Sequence, residues 1–246
     1  MNEPMKKALV IAATSSLGAA ICAVLARRNY SLFLTGRDVT ELEIIAADLR
    51  IRHNANVLIG KFDLAYVTFS AGNFLEDVEE KFGSFDAAFL LAGDMGTAAH
   101  DEKNIEQVVK VNYLQPLKLL ELLAEKMAAG RGGSVAVISS IAGDRGRQSN
   151  YVYGSAKAGL AASASGLRNK FSRRGVHIMT VKPGFIDTPM TYGMQSPLIY
   201  SREKAAETIV KALRRKKDVV YVPFFWRYIM LIIILIPEKI FKRMKL

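Results

Sequence analysis

Cysteine is almost absent from this 246-residue chain: Cys22 stands alone, so no intramolecular disulfide can form. It falls on the apolar pattern of a helix, where a small core residue is expected rather than a nucleophile. Long apolar runs are missing too. The run Tyr228 to Ile236 carries no charge. As a helix, the stretch Phe224 to Ile236 reaches only roughly 20 Å against a bilayer core of about 30 Å, so a transmembrane anchor is not expected. Lys6 and Lys7 precede only about seven apolar residues before the turn Thr14-Ser15-Ser16, which reads as a first strand and not as an export signal. No repeat or low-complexity linker divides the chain. Acidic residues are outnumbered, 23 against 34 Lys and Arg, for a formal charge of +11. No nucleic-acid motif or aromatic platform accompanies that charge, so nucleic acid is not an expected partner. An anionic ligand or an anionic lipid surface suits it better, beside ordinary surface solvation. No metal site is expected.

What is present is a globular composition, half apolar and 23% charged, long enough for one large core. Apolar runs alternate with amphipathic stretches. Strands are predicted over Lys7 to Ala12, Leu32 to Leu34, Val57 to Phe62, Asp86 to Leu91, Val135 to Ile138, Val176 to Val181 and Val219 to Val222. Helices are predicted between them, including Ala19 to Arg27, Thr68 to Phe82, Glu102 to Met127 and Ser201 to Leu213. Strict alternation implies α/β architecture: a single doubly wound, Rossmann-type parallel sheet with helices on both faces. It spans residues 1–222, and an apolar and basic C-terminal tail follows over 223–246.

The chain is organised around Ser140 to Lys157. Ser140 ends a buried strand, and Tyr153 and Lys157 lie four apart on a helical pattern, hence one turn apart on one face. A cation beside a phenol favours phenolate and pulls the tyrosine down from about 10. A shift of about three units represents roughly 4 kcal/mol and brings the phenol into range for proton transfer near neutral pH. Ser140 reaches the same point and polarises a carbonyl oxygen. A bare Tyr-x-x-x-Lys pair is more often plain helix surface, so its surroundings decide.

Two further stretches suit a dinucleotide. The first strand passes through Ala13-Thr14-Ser15-Ser16-Leu17-Gly18 into a helix, and a helix N-terminus with free N–H groups favours a pyrophosphate. Arg37 directly follows Gly36 at the end of the second strand, where an arginine accommodates a ribose 2′-phosphate. NADP(H) is therefore expected, with NAD(H) possible if Asp38 faces the ribose. Asp38 also fits the cap of the next helix, with Glu41 three residues on.

A strand ending in Ser139-Ser140, then Ala142-Gly143, then Tyr153 thirteen residues after Ser140, resembles the short-chain dehydrogenase/reductase family over about residues 5–222. The resemblance implies a ketone–alcohol oxidoreductase with Ser140, Tyr153 and Lys157 as catalytic residues. It gives Asn112 a role as well, its backbone carbonyl holding a water beside the lysine. It places Thr14, Ser15, Leu17 and Gly18 at the pyrophosphate and Asp63 and Leu64 at the adenine. Ala92 and Gly93 fall beside a ribose. Pro183, Gly184, Ile186 and Thr188 belong to the nicotinamide loop, and Tyr153 and Lys157 touch the cofactor too. The first turn departs from the family's Thr-Gly-x-x-x-Gly-x-Gly, keeping only Gly18, with Ala12 and Ala13 where a related variant has two glycines. Leu90 and Leu91 replace two family asparagines. Thr191 to Tyr200 has the composition of a mobile lid.

The tail narrows the expectation. Trp226, Arg227 and Tyr228 precede the apolar run, and Lys239, Lys242, Arg243 and Lys245 follow it. That flanking fits a segment lying on anionic lipid, and packing on the domain or on a subunit neighbour is the bland alternative. With Ala-Gly-Asp-Arg-Gly-Arg before Tyr153, the tail is similar to that of the decaprenylphosphoryl 2-keto-erythropentose reductases. The similarity implies a keto-sugar carried on a polyprenyl phosphate, reduced in the second step of an epimerisation for the cell envelope. Arg145 and Arg147 are candidate phosphate contacts. A cytoplasmic enzyme on the inner membrane face is expected, and a homo-oligomer is possible. A reductase of another hydrophobic keto-lipid and a cofactor-binding scaffold without turnover are the alternatives.

Overall fold

A computed structural model describes residues 5–65, 70–96 and 102–244. Seven parallel strands form one sheet in the order β3-β2-β1-β4-β5-β6-β7. They are β1 Lys7–Ile11, β2 Ser31–Gly36, β3 Val57–Lys61, β4 Ala87–Leu90, β5 Gly133–Ile138, β6 Val176–Pro183 and β7 Val219–Val222. The order reverses between β1 and β4, so the crevice at the carboxyl ends of these strands is the ligand position of such sheets. β2 is buried at every residue, as an apolar run covered on both faces should be.

Helices α1 (Ser16–Ala26), α2 (Val39–His53) and α7 (Arg202–Arg214) cover one face of the sheet, and one apolar core joins Ile21, Leu25, Leu42 and Ile209 to strand residues such as Val10 and Leu34. Helices α3 (Ala71–Phe82), α5 (Gln115–Ala129) and α6 (Tyr151–Phe171) cover the other, around Leu75, Leu120 and Leu160. Cys22 lies fully buried in the first core, and burial raises its thiol pKa. Asp38 caps α2, accepting from Glu41 N at 3.0 Å. Ser70 caps α3, so the predicted start at Thr68 lies outside the described residues.

Two differences from the sequence expectation matter. The long helix predicted from Glu102 to Met127 is interrupted: α4 (Glu102–Val109) passes through a π-turn, Lys110–Leu114, into α5. Asn112 is the buried residue of that turn. Its amide donates to Val108 O at 2.8 Å and Asp94 O at 2.6 Å and accepts from Asp94 N at 3.1 Å. The polar residue on an apolar face is satisfied by the loop after β4, and the helix bulges to let it reach.

The tail folds as α8 (Trp226–Leu235) and α9 (Glu238–Phe241), with Lys245 and Leu246 outside the described residues. One face of α8 is seated on the domain. Trp226 and Met230 are buried with Ile141 in a third apolar cluster that Phe185, Leu198 and Ile233 complete. Burying such side chains contributes about 1.5–3 kcal/mol each. The opposite face leaves Tyr228, Leu231, Ile232 and Leu235 exposed, as is Phe224 just before the helix. Among the described residues no helix is long and apolar enough to cross a membrane.

Candidate active site

The site is built where β5 meets α6. Ser140 follows β5 and starts a 3-10 turn, Ile141–Gly143, its hydroxyl accepting from Ala142 N at 3.1 Å. The turn presses on α6 because two side chains are missing. A Cβ on Gly143 would stand 2.7 Å from Ala158 N, and one on Gly154 would stand 2.8 Å from Ala142 O. Ser139 adds a bond from its hydroxyl to Lys157 O at 2.9 Å. This close approach brings the Ser140 hydroxyl beside the Tyr153 phenol, where it favours the phenolate.

A carboxylate holds the same turn from behind. The register pairs Lys182 with Tyr221 across β6 and β7. Asp144 forms an ion pair with Lys182 and accepts from Tyr221 OH at 2.8 Å. The turn after Ser140 is thereby tied to β6 and β7.

Lys157 is fully buried. Its Nζ donates to Ala92 O at 2.7 Å and Ile138 O at 3.1 Å, which uses two of an ammonium's three donors. Both acceptors are neutral, so burial dominates and lowers its pKa to about 7. The ammonium lies 5.6 Å from the centroid of the Tyr153 ring. Burial also raises the Tyr153 pKa, opposed by the Ser140 hydroxyl. The sequence expectation was the reverse, a phenol pulled down by a full lysine charge. The physical reason for the difference is desolvation, which disfavours both charged forms at once.

Two adjoining cavities of about 620 and about 460 Å³ run from this point along the carboxyl ends of the strands. Both are lined by Thr14, Ser15, Arg37, Glu41, Ala92 and Gly93. The larger one continues past Leu17, Ser140, Tyr153 and Lys157 to Pro183, Gly184, Ile186 and Thr188. The smaller one holds Asp63 and Leu64. Of the expected residues, Gly18 and Asn112 line neither cavity. Gly18 N donates to Ser15 Oγ at 3.1 Å, and Ser15 Oγ donates to Ala12 O at 2.8 Å, so that hydroxyl shapes the turn and caps α1. Ala12 adopts φ 62°, the left-handed shape that glycine takes most easily, so the alanine keeps the loop's course at a steric cost. Ser16 and Leu17 open α1 beside the larger cavity, and first-turn N–H groups lack intrahelical acceptors. That cradle, with Arg37 beside it, fits a dinucleotide phosphate.

Sequence reasoning missed several liners. Glu41, foreseen only as a capping partner, stands beside Arg37 in both cavities. Asn150, Phe185 and Met194 line the larger one. Only Asn150 carried a local signal, an asparagine just before a helix. The segment foreseen as a lid is anchored at its end: Tyr200 N donates to Phe185 O at 2.8 Å and Asp187 N to Tyr200 O at 3.0 Å. Gly184 has a reason of its own, since any Cβ there would overlap the Trp226 indole of α8.

The two arginines foreseen at a phosphate part company. Arg145 reaches the tail, donating to Ile233 O and Ile234 O at 2.8 Å and Ile236 O at 2.6 Å. It also pairs with Glu238 at 2.9 Å and stacks over Phe241 at 3.9 Å. It caps α8 and is not available to a ligand. Arg147 lines the larger cavity.

A buried lysine, a tyrosine and a serine converging on a dinucleotide-sized cleft define an oxidoreductase of the Rossmann type. The chain belongs to the short chain dehydrogenase family, whose model matches residues 6–198. It is 34% identical over 227 residues to an uncharacterized oxidoreductase of Mycobacterium tuberculosis, covering 89% of this chain and 91% of that one. The fold resembles the bulky-bulky ketone specific alcohol dehydrogenase of Comamonas testosteroni, with a TM-score of 0.80 and 20% identity over 96% of both chains. It also resembles L-sorbose reductase of Gluconobacter frateurii, solved with NADPH and L-sorbose, with a TM-score of 0.77 and 22% identity over 88% of this chain and 94% of that one.

Proposed function

We propose that this oxidoreductase is an NADPH-dependent ketoreductase acting on a keto-sugar carried by a polyprenyl phosphate, at the cytoplasmic face of a membrane. The observation that carries the reductase reading is that Ser140, Tyr153 and the buried Lys157 line one cavity together, the serine hydroxyl beside the phenol. A reduced nicotinamide, when bound, supplies the hydride. Ser16 and Leu17 at the start of α1 would hold its phosphates, with Arg37 at the 2′-phosphate. Asp63 and Leu64 would hold the adenine end, and Ile186 and Thr188 the nicotinamide end. The NADPH bound by the sorbose reductase neighbour favours the same cofactor here.

Ser140 and Tyr153 donate hydrogen bonds to the ketone oxygen, stabilising charge as it develops there. The Tyr153 phenol then gives its proton to that oxygen. A group with pKa about 7 exchanges protons readily at neutral pH, so Lys157 Nζ returns a proton to Tyr153 Oη. Asn112 acts through its backbone carbonyl, holding a relay water, since its side chain is fully used.

Two features favour a lipid-borne substrate. The exposed face of α8 presents Tyr228, Leu231, Ile232 and Leu235, Phe224 is exposed just before it, and Arg227, Lys239, Lys242 and Arg243 are exposed too. Apolar side chains ringed by cations suit an anionic bilayer surface. The apolar lining of the cavity at Leu91, Met95, Phe185 and Met194 favours a second reading, reduction of another hydrophobic ketone. Purifying the protein from membranes and identifying the lipid that comes with it decides between them. A lipid phosphate bearing a ketose, consumed when NADPH is added, is the expected result. A ketone without phosphate turned over instead would leave the second reading standing.

A further inference from the structure

The loop Gly184 to Thr188, which lines the larger cavity, has no side chain at its first residue. The place where a Gly184 Cβ would stand is taken by Nε1, Cδ1 and Cε2 of the Trp226 indole, at the start of α8. Phe185, the next residue along the cavity, meets the same indole edge to face, with ring centroids 5.0 Å apart and planes at 76°. Trp226 is only 4% exposed, and it shares its apolar cluster with Ile141 of the turn after Ser140. Ile141 lines the cavity as well. Two stretches of the cavity wall therefore have one apolar support, and that support belongs to the tail. The indole N–H has no hydrogen-bond partner among the described residues, so the ring acts through its shape.

Backbone bonds join the same loop to its neighbours. Gly184 N donates to Val222 O at 2.9 Å, and Tyr200 N donates to Phe185 O at 2.8 Å. A close-packed ring against Gly184 leaves the backbone there no room to move toward α8. We propose that Trp226 is a positioning residue for the cofactor: its indole sets the place of Gly184 and Phe185, and through them the place of the nicotinamide. The inference rests on the reading of Gly184, Ile186 and Thr188 as the nicotinamide end of the cleft. It makes the tail a working part of the site, because Arg145 holds the far end of the helix whose first residue does the positioning. A misplacement of about 1 Å at such a point costs on the order of 10²-fold in rate.

Trp226 is the only tryptophan in the chain, so its emission tests this in the unaltered full-length protein. NADP+ should change that emission, and 2′-phospho-ADP-ribose, the same cofactor without its nicotinamide, should leave it as it was. A response to both alike at saturation, or to neither, overturns the proposal. Trp226→Leu should weaken NADPH by about five- to tenfold, the scale of one or two lost hydrogen bonds to the carboxamide, while affinity for 2′-phospho-ADP-ribose stays within about twofold. Trp226→Phe should retain most of the NADPH affinity, because a smaller ring still fills much of the space. Equal weakening of both ligands by Trp226→Leu would give the tryptophan a purely structural role and overturn the proposal. Gly184→Ala approaches the contact from the other side and serves if the leucine form does not fold. By itself it should weaken NADPH selectively. Combined with Trp226→Phe it should bind NADPH better than by itself, since the methyl takes room that the indole gives up. Losses that simply add would mean that the two residues act independently, and overturn the proposal. If the two ligands separate as expected but no ketone is reduced by NADPH, the positioning role stands and the ketoreductase reading fails.

Discussion

The stretch from Ser140 to Lys157, proposed to be catalytic, and the tail from Phe224 to Met244 pack against each other, yet they use cations in opposite ways. In the first, Lys157 is withdrawn from water and bonded to neutral carbonyls, so its charge becomes easy to lose. Across the contact, Arg145 is almost as enclosed, with its side chain 14% exposed, but it meets three carbonyls and a carboxylate. It serves as a clamp. Partner type decides the difference: an enclosed cation opposite only neutral dipoles is tuned for proton exchange, and one that also meets an acid is structural. The tail's remaining cations stay in water around an apolar face that the domain does not cover.

The largest expected effect lies on the catalytic side. Tyr153→Phe keeps the ring and its packing but removes the proposed proton donor, so ketone reduction should fall by about 10²–10⁴-fold or more while NADPH binding persists. Steady-state kinetics with a binding titration reads this, and near-normal turnover would remove Tyr153 from the chemistry. Next comes the clamp. Arg145→Met leaves the last carbonyls of α8 without a donor and Glu238 without its partner. Local stability of the tail should drop by about 2–4 kcal/mol, visible as faster amide exchange over 226–241 with slower change in the sheet. Unchanged exchange would mean that Trp226 and Met230 alone hold the tail.

A smaller effect separates the two cations by pH. The Lys157 pKa is depressed in the folded protein to about 7 from an ordinary 10.5. Between those values the unfolded chain holds a proton that the folded one has released, so stability rises with pH across that window. Below about 7 both states are protonated and the burial cost is present in full. Melting temperature of the cofactor-free protein against pH should show this rise, and Lys157→Met should flatten it. A wild-type curve without the rise would mean that the amine stays charged. The smallest effect on the fold belongs to the outer face of α8. Leu231→Ser with Ile232→Ser should change unfolding stability by no more than about 0.5 kcal/mol each, since both side chains are exposed. The same pair should weaken sedimentation with vesicles containing phosphatidylglycerol. If it instead changes the oligomeric state and not vesicle binding, the face is a subunit contact.

The comparison also marks how far the sequence could be read. Strand and helix alternation was legible because apolar periodicity is local, and all seven strands fall where it predicted them. Tyr153 and Lys157 were legible for the same reason, four residues apart on one helix. The π-turn at Asn112 was not, because its cause is the backbone of Asp94, eighteen residues earlier. Glu41 looked like a capping residue only, since nothing local shows that it lines the cleft. Arg145 and Arg147 looked alike in a run of glycines and polar residues. One clamps Ile236, ninety-one residues later, and the other lines the cavity.

The sequence by itself determined which segments are strands and helices, the parallel winding, and the pairing of a tyrosine with a lysine on one face. These follow from periodicities of two and 3.6 residues and from short-range sterics. Only the tertiary structure decided how charged that lysine is, which face of the tail is buried, and which of two arginines lines the cavity. Each of those depends on desolvation and on partners drawn from distant parts of the chain. Such terms are set by what surrounds a group in space, and sequence neighbours do not carry that information.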